Sequence, residues 1–166
     1  MQADEAAKSS AADARLDRLT AHDLDLCATP AALYATFSRV GALVFSSGVV
    51  GRERGRIITG KLTTDACRAR GERAAAAAVL AILRAAQREL GSLDRVAKVV
   101  ALTGYLHAEE GFAPMREVMD AASRVVQEIF PDAALPARTC VGVACLPGGG
   151  AVEIALVLEL AGQPIQ

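Results

Sequence analysis

An arginine and a glutamate stand near the C-terminus in segments that are otherwise almost entirely apolar. Arg138 lies in the segment PARTCV (136–141), and Glu153 lies in the segment VEI (152–154). We expect these segments to form the two strands of one hairpin. A guanidinium is costly to desolvate unless an anion contacts it, and its planar fork matches a carboxylate. The two residues therefore predict a small pocket that binds an acid beside a carboxylate of the protein.

Cys140 follows Arg138 by two residues, so both side chains should lie on the same face of a strand. A thiol becomes a nucleophile when a nearby base or positive charge favours the thiolate. Arg138 could supply charge, but neither His22 nor His107 is placed by sequence to act as a base. A small core residue is therefore the simpler interpretation of Cys140.

The composition argues against some classes of partner. The chain has 166 residues, which suits a single domain, and 18 basic residues face 19 acidic ones for a net charge of −1. Binding to phosphate backbones scales with neutralising positive charge. Single strands also require exposed aromatic rings, and only 4% of the residues are aromatic. Nucleic acid is thus not an expected partner, although a local basic patch remains open.

The cysteines and the N-terminus predict a cytoplasmic location. The four cysteines form no CxxC pair and have no zinc-ligand spacing, a pattern that favours free thiols. Residues 1–14 have neither the basic nor the apolar region of a signal peptide. No apolar stretch approaches the roughly 18 residues that a membrane span needs.

Hydrophobic periodicity predicts an α+β fold. Residues 1–20 are expected to be a partly disordered extension with a short helix over 14–19, ended by Thr29-Pro30, and residues 21–166 a single domain. Within the domain, apolar patterns predict strands over 33–40, 42–50, 56–59 and 96–106 and helices over 63–90 and 113–130, before the C-terminal hairpin. Two helices would cover one face of a mixed sheet. The other face would stay apolar and bare, which predicts oligomerisation.

The helix boundaries have local signals. Thr63 or Thr64 can cap the start of the long helix, and Gly91 can end it. The five consecutive alanines of 74–78 would let this helix approach the sheet closely.

Several segments resemble the Rid (YjgF) family of reactive-intermediate deaminases, in the order that the family has them. They are GALVFSSG (41–48), GK (60–61) before the long helix, GSLDRV (91–96), EGF (110–112) and the C-terminal PARTCV, LP (146–147) and VEI. Each segment is a weak signal alone, but their collinear combination is specific. The resemblance extends over residues 30–160.

The resemblance implies a fold, an assembly and an activity. The fold is β-β-α-β-α-β-β, chorismate-mutase-like, in a homotrimer whose sheets form a central barrel with clefts between subunits. The activity is hydrolysis of small carboxylated enamines and imines to 2-keto acids and ammonia, with neither a metal nor an organic cofactor. Family members have also been described as endoribonucleases, translation inhibitors or chaperone-like proteins. A binding module that senses a small acid without turnover is a further alternative.

The resemblance also implies roles for three C-terminal residues. Arg138 would bind the substrate carboxylate, and Cys140 would donate a hydrogen bond to the substrate from its backbone amide. Glu153 would orient the attacking water and pass a proton to the leaving amine. Salt bridges would be the structural alternative, between subunits for Arg138 and at the pocket rim for Glu153.

Three residues nearer the N-terminus complete the predicted substrate-binding set. Ser47 and Gly48 match the Ser-Gly that ends a core strand in the family, where glycine allows close approach of a ligand. Tyr34 falls at the position of the family's pocket tyrosine. A strand-end turn and a half-buried strand aromatic are the structural alternatives.

Two loops need separate interpretation. Glu109 and Glu110 stand where many family members carry Asn and Asp, and two carboxylates at a cleft mouth would repel an acidic substrate. This departure predicts a different imine or a weakly active paralogue. The glycines of 148–150 precede a strand, so they predict a hairpin turn. His107 is expected to be a solvated loop residue, with a catalytic base as the alternative, because it follows the central strand close to where the family's cleft opens.

Overall fold

The computed structural model describes residues 11–21 and 33–162. The disorder predicted for the first residues lies outside these ranges except at residues 11 and 12, which are helical. The helix break predicted at Thr29-Pro30 also lies outside them. Helix α1 spans Ala11–Thr20 and therefore begins earlier than the predicted 14–19. None of the described helices is both long and apolar enough to cross a membrane.

Helix α2, Arg68–Leu90, is the long helix, and a 3-10 turn over Asp65–Cys67 precedes it. Thr64 stands before that turn, but its side chain makes no capping hydrogen bond. The predicted start of the helix is therefore a few residues too early. Its predicted end is correct, because Gly91 adopts the left-handed conformation with φ 83° that terminates many helices.

Helix α3, Met115–Ile129, confirms the predicted periodicity. Its apolar residues at helical spacing are buried: Val118, Ala122, Val125, Val126 and Ile129. The opposite flank of α3 carries the polar side chains that become important at the candidate site.

Eight strands in the described residues form a mixed sheet and a small ribbon. The strands are β1 (Phe37–Val40), β2 (Leu43–Ser46), β3 (Val49–Val50), β4 (Arg52–Glu53), β5 (Arg56–Ile57), β6 (Val96–His107), β7 (Ala137–Val143) and β8 (Val152–Leu160). The sheet has the order β1-β2-β8-β6-β7, β3 also pairs with β8, and β4 and β5 pair separately. Among these eight strands β7 and β6 pair in parallel, and the other pairs are antiparallel.

The predicted C-terminal hairpin is wrong. Strand β6 lies between β7 and β8, so that Gly104 pairs with Cys140 on one side and with Ile154 on the other. The reason is the crossover through α3, which returns the chain parallel to β6 on its outer edge. Gly148 and Gly149, with φ 61° and 70°, turn the chain across the end of β6 instead of joining two neighbouring strands.

Within the described residues, α2 and α3 pack on one face of the sheet, and α1 packs against both of these helices. The alanines of 74–78 confirm their predicted role, since a Cβ built on Gly51 would collide with the carbonyl oxygen of Ala74. A Cβ on Gly104 would likewise collide with Met119 of α3. The chain thus brings both helices against the sheet where small residues leave room.

Helix α1 is part of this helical layer. Leu16 is fully buried, and Asp13 accepts hydrogen bonds from Leu93 N at 2.9 Å and Ser92 Oγ at 2.8 Å. Arg15 Nη1 donates to the carbonyl oxygen of Ile129 at 3.1 Å. These contacts join α1 to the start of β6 and the end of α3.

The opposite face of the sheet carries no helix among the described residues, and we call it the open face. Along β8 the side chains alternate between fully buried ones under the helices and half-buried ones on the open face. Phe45 and Val141, whose partners place them on this face, are each 41% exposed. The open face is therefore partly apolar, as the sequence predicted, and the trimer that would cover it stays a prediction.

Candidate active site

Arg138 lies on the helical side of the edge strand β7. It pairs with Leu102 of β6, which is fully buried under the helices, so the two side chains share that face. Arg138 Nη1 donates to Asp120 Oδ1 at 2.7 Å and to Ser123 Oγ at 3.0 Å, both on α3. We call Asp120, Ser123, Arg138 and Cys140 the arginine cluster.

Cys140 lies on the same face as Arg138, as the two-residue spacing predicted. It pairs with Gly104, and its Sγ is 4.0 Å from the carbonyl oxygen of Met115. Burial raises the pKa of the Cys140 thiol, and the charge of Arg138 offsets this only in part. A thiol in this state is a poor nucleophile at neutral pH.

Glu153 lies on the open face. Its partner on β6 is Tyr105, the neighbour of Gly104 in the chain, and successive residues of a strand point to opposite faces. Glu153 is half-buried, and this burial raises the pKa of its carboxyl group. Within the described residues, the carboxylate has no hydrogen bond and no ion pair.

Gly48 packs against Glu153, and Ser47 and Tyr34 belong to the two chain segments that meet beside Gly48. A Cβ built on Gly48 would collide with the Glu153 carboxylate, so only glycine allows this packing. Ser47 Oγ donates to the carbonyl oxygen of Ala35 at 2.6 Å, which holds the segment beside Tyr34 against the end of β2. Tyr34 is 50% exposed. We call Tyr34, Ser47, Gly48 and Glu153 the glutamate cluster.

The two clusters do not meet within one chain. They lie on opposite faces of the sheet, and β6 separates the strands that carry Arg138 and Glu153. Among the described residues the ion partner of Arg138 is Asp120, so a rim salt bridge between Glu153 and Arg138, the structural alternative for Glu153, does not form within the chain. Each cluster alone therefore offers half of the predicted chemistry.

A cavity of about 360 Å³ adjoins the arginine cluster. Its wall includes Glu109, Glu110, Phe112 and Met115, and Met115 also contacts Cys140. Glu109 Oε1 lies 3.8 Å from Lys61 Nζ, so one of the two expected repulsive charges is partly compensated. An acid that enters here meets less negative charge than the sequence implied.

His107 differs from its prediction. It is the last residue of β6 and half-buried, not a solvated loop residue. Its backbone is held on both sides, by Leu62 N at 2.8 Å and by the carbonyl oxygen of Ala151 at 2.9 Å. Its Nδ1 is buried without a hydrogen-bond partner in the described part of the chain. Across residues 11–21 and 33–162, no three His, Cys, Asp or Glu side chains group closely enough to hold a metal ion.

Sequence reasoning missed Asp120 and Ser123. Both were assigned only to a helix whose apolar periodicity was recognised. Their spacing of three residues puts them on one flank of α3, and that spacing was a usable signal. The spacing did not identify Arg138 as the partner, because nothing in the local sequence indicates that β7 lies beside this flank of α3.

Comparison with known proteins identifies the family. Residues 27–159 match the family model described as endoribonuclease L-PSP, the Rid (YjgF) family. Protein TCP17 of Trypanosoma cruzi is 33% identical over 139 residues, which cover 82% of this chain and 87% of that protein. The chain therefore belongs to the endoribonuclease L-PSP family.

Solved structures agree on the fold. Atu1372 from Agrobacterium tumefaciens, a protein of unknown function, is 27% identical with a TM-score of 0.78, covering 90% of this chain and 92% of that one. A putative endoribonuclease from Shewanella oneidensis is 24% identical with a TM-score of 0.78, covering 88% and 99%. RidA from an Antarctic Psychrobacter is 24% identical with a TM-score of 0.55, covering 82% and 96%.

Proposed function

We propose that this protein hydrolyses small carboxylated imines and enamines to 2-keto acids and ammonia. In this reaction water adds to the imine carbon and one of its protons passes to the nitrogen. The hydroxyl proton then passes to the nitrogen as the C=O bond forms and the C–N bond breaks, and the nitrogen leaves as ammonia. The reaction needs a group that holds the carboxylate and a group that moves protons. Arg138 and Glu153 are the residues we assign to these two roles.

The state of Glu153 carries this proposal. A half-buried carboxylate without a cation partner in the described residues costs stability, and its pKa is raised by that burial. Such perturbed carboxyl groups are concentrated at functional sites. A raised pKa also suits proton transfer, because a group that titrates closer to neutrality gives and takes protons more readily.

The site needs two chains in this proposal. Arg138 sits on an edge strand, and Glu153 faces the open side of the sheet. In the homotrimer that the family implies, the arginine cluster of one subunit would meet the glutamate cluster of its neighbour. Closed cyclic symmetry repeats such a contact at every interface and leaves no open face.

Within this cleft each residue has a distinct task. Arg138 binds the substrate carboxylate by charge-assisted hydrogen bonds, and the backbone amide of Cys140 orients the substrate. Glu153 orients the water, accepts its first proton as the water attacks, and passes that proton to the nitrogen. It then moves the hydroxyl proton to the nitrogen in the same way as the C–N bond breaks. Ser47 and Tyr34 contribute hydroxyl groups at the wall, and Gly48 keeps the space that Glu153 occupies.

The test follows the lifetime of imines generated in situ by an amino-acid oxidase. The protein should accelerate their decay to the 2-keto acid and ammonia in proportion to its concentration. Arg138→Lys keeps the charge but loses the bidentate fork, so we expect a heavy loss of activity. Arg138→Ala should abolish the binding of small 2-keto acids, measured by NMR titration.

Two results would contradict this function. The first is unchanged imine decay for a range of carboxylated imines in the presence of the folded protein. The second is wild-type activity in both Arg138 variants, which would make Arg138 a structural residue. A stable monomer in sedimentation at micromolar concentration would contradict the two-chain site.

An endoribonuclease is the second candidate. Its support is the description of the family and the basic stretch 52–73, which holds seven Arg or Lys residues and three Asp or Glu. Positive charge of this kind binds phosphate backbones in a salt-dependent manner. Cleavage of a labelled single-stranded RNA that is lost in Glu153→Gln would favour this candidate over the deaminase.

A further inference from the structure

We propose that Asp120 and Ser123 are positioning residues that orient the guanidinium of Arg138 toward the substrate, and that the charge of Asp120 limits the affinity of the site for acids. This inference rests on the proposed role of Arg138 as the carboxylate-binding residue. It adds two residues to the site that the family resemblance did not supply.

The hydrogen bonds determine which edge of the guanidinium remains available. A guanidinium carries five N–H donors in a fixed plane, two of them on each Nη. Arg138 Nη1 uses its donors for Asp120 Oδ1 at 2.7 Å and Ser123 Oγ at 3.0 Å. Within the described residues, Nε and Nη2 have no partner. The edge formed by Nε and Nη2 is therefore the one that can hold a carboxylate through two parallel bonds.

The support of this arrangement is rigid. Asp120 and Ser123 belong to α3, and their neighbours Met119 and Ala122 are fully buried in the core. Arg138 would otherwise be a long side chain with many rotamers on an exposed edge strand. Two bonds to a fixed helix select one orientation before the substrate arrives, which lowers the entropic cost of binding.

The charge of Asp120 has a separate effect. The Arg138 side chain is 26% exposed and that of Asp120 43%, so water screens this ion pair only in part. A substrate carboxylate on the other edge would lie within several ångströms of Asp120 and be repelled by it. Asp120 thus orients the guanidinium of Arg138 but lowers the affinity of the site for the substrate carboxylate, and the 2-keto acid product is released more readily.

The experiment separates orientation from charge. Asp120→Asn keeps an oxygen acceptor for Nη1 but removes the charge, whereas the double variant Asp120→Ala, Ser123→Ala removes both bonds. Glu128→Gln is the matched control, because Glu128 is an exposed carboxylate on α3 without a contact to Arg138. The probes are 2-oxobutyrate, its neutral amide, and the corresponding imine generated in situ.

We expect Asp120→Asn to bind 2-oxobutyrate about fivefold more tightly, from the loss of one nearby like charge. Its KM for the imine should fall while kcat is retained, and the affinity for the neutral amide should not change. The double variant should lose at least about tenfold in kcat/KM, since the guanidinium is no longer oriented. Glu128→Gln should behave as wild type in every measurement.

Weaker or unchanged acid binding in Asp120→Asn would overturn the charge effect, and wild-type kcat/KM in the folded double variant would overturn the positioning role. Arg138→Ala distinguishes these failures from a failure of the proposed function. If Arg138→Ala loses acid binding while the Asp120 and Ser123 variants do not differ from wild type, only this inference fails. If Arg138→Ala also binds 2-oxobutyrate normally, the proposed function fails with it.

Discussion

The arginine cluster and the glutamate cluster differ in how their charges are compensated. Arg138 has Asp120 as an ion partner at 2.7 Å and Ser123 as a further acceptor, so its charge is balanced within the chain. Glu153 has no such partner among the described residues, and burial raises its pKa. The charge of Arg138 is thus compensated by Asp120, whereas the charge of the half-buried Glu153 is not compensated by a cation among the described residues.

The two clusters also differ in their positions in the sheet, one on an edge strand and the other on a central strand. Arg138 and Cys140 belong to β7, an edge strand that is exposed along most of its length. Glu153 belongs to β8, which has strands on both sides and is buried at every second residue. An edge strand presents both its side chains and its unpaired backbone groups to a neighbouring molecule, whereas a central strand presents only the side chains of its open face. This difference is the one that the proposed two-chain site requires.

The largest expected effect is the loss of proton transfer in the glutamate cluster. Glu153→Gln keeps the shape and the hydrogen bonding but cannot take up a proton, so the rate of imine hydrolysis should fall by about 10²-fold or more. Cys140→Ala keeps the backbone amide and should retain most activity, because the thiol has a raised pKa and no base. The measurement is initial rate at saturating imine for both variants.

The reverse ordering would contradict this assignment. A severe loss in Cys140→Ala with a mild loss in Glu153→Gln, or a covalent adduct on Cys140 in the mass spectrum, would indicate a cysteine mechanism. The arginine cluster would then contain all the chemistry, and the comparison between the two clusters would lose its basis.

Complementation between chains is the next expected effect. Arg138→Ala chains retain Glu153, and Glu153→Gln chains retain Arg138. If one interface combines the two clusters of neighbouring subunits, random co-assembly in a trimer should restore about one quarter of the sites. The activity of the co-expressed mixture should therefore reach about a quarter of the wild-type value, although each variant alone is inactive.

A mixture that stays inactive while mass spectrometry shows mixed trimers would contradict a shared site. The control is the double variant Arg138→Ala, Glu153→Gln, co-expressed with either single variant. Those mixtures form the same assemblies but contain no interface with both functional residues, so they should show no recovery.

The periodicity of the helices, the end of the long helix and the faces of the strands were predictable from the sequence. The apolar spacing of α3 and the left-handed glycine at Gly91 are local signals, and both were confirmed. The two-residue spacing of Arg138 and Cys140 gave their shared face, because alternation along a strand is also local. These features depend on backbone geometry within a few residues.

The order of the strands was not predictable in this way. The loop with Gly148 and Gly149 has the composition of a hairpin turn, yet it crosses the end of β6. Alternation gives the face of a side chain relative to its own strand, but not which strand lies beside it. For the same reason the Asp120–Arg138 pair, which joins a helix to a later strand, was missed.

A smaller expected effect is the difference in alkylation rate between Cys67 and Cys140, which tests the environment of the thiol in the arginine cluster. Backbone hydrogen bonds from Thr63 and Thr64 lower the pKa of Cys67 to about 6, whereas burial raises the pKa of Cys140. At pH 7 we expect iodoacetamide to label Cys67 at least about tenfold faster than Cys140, since the thiolate is the reactive form. Peptide mass spectrometry after timed quenching measures both rates in one sample.

The labelling also reports on Arg138. Its charge lowers the pKa of Cys140, so Arg138→Ala should slow the labelling of Cys140 further and leave Cys67 unchanged as the internal standard. Equal labelling of the two cysteines in the wild type would mean that the Cys140 thiol is activated in solution.

The smallest expected effect is on stability, and it follows from the burial of Glu153. Because its folded-state pKa is raised, the folded protein holds this proton more strongly than the unfolded chain, and stability decreases as pH rises from the ordinary glutamate range through the raised value. Glu153→Gln removes this loss, so at pH 7 the variant should be more stable than wild type by up to about 1 kcal/mol. The difference should vanish below about pH 4, where the Glu153 carboxyl group is neutral in both the folded and the unfolded state. Denaturant unfolding at the two pH values measures the effect.

Glu159→Gln is the control, since Glu159 lies on the same face of β8 but has Lys98 Nζ at 3.1 Å, and its loss should not stabilise the protein. If Glu153→Gln is instead destabilising at pH 7, the ionised carboxylate has a cation partner in the assembled protein, and the imbalance between the two clusters is closed by the neighbouring subunit even without substrate.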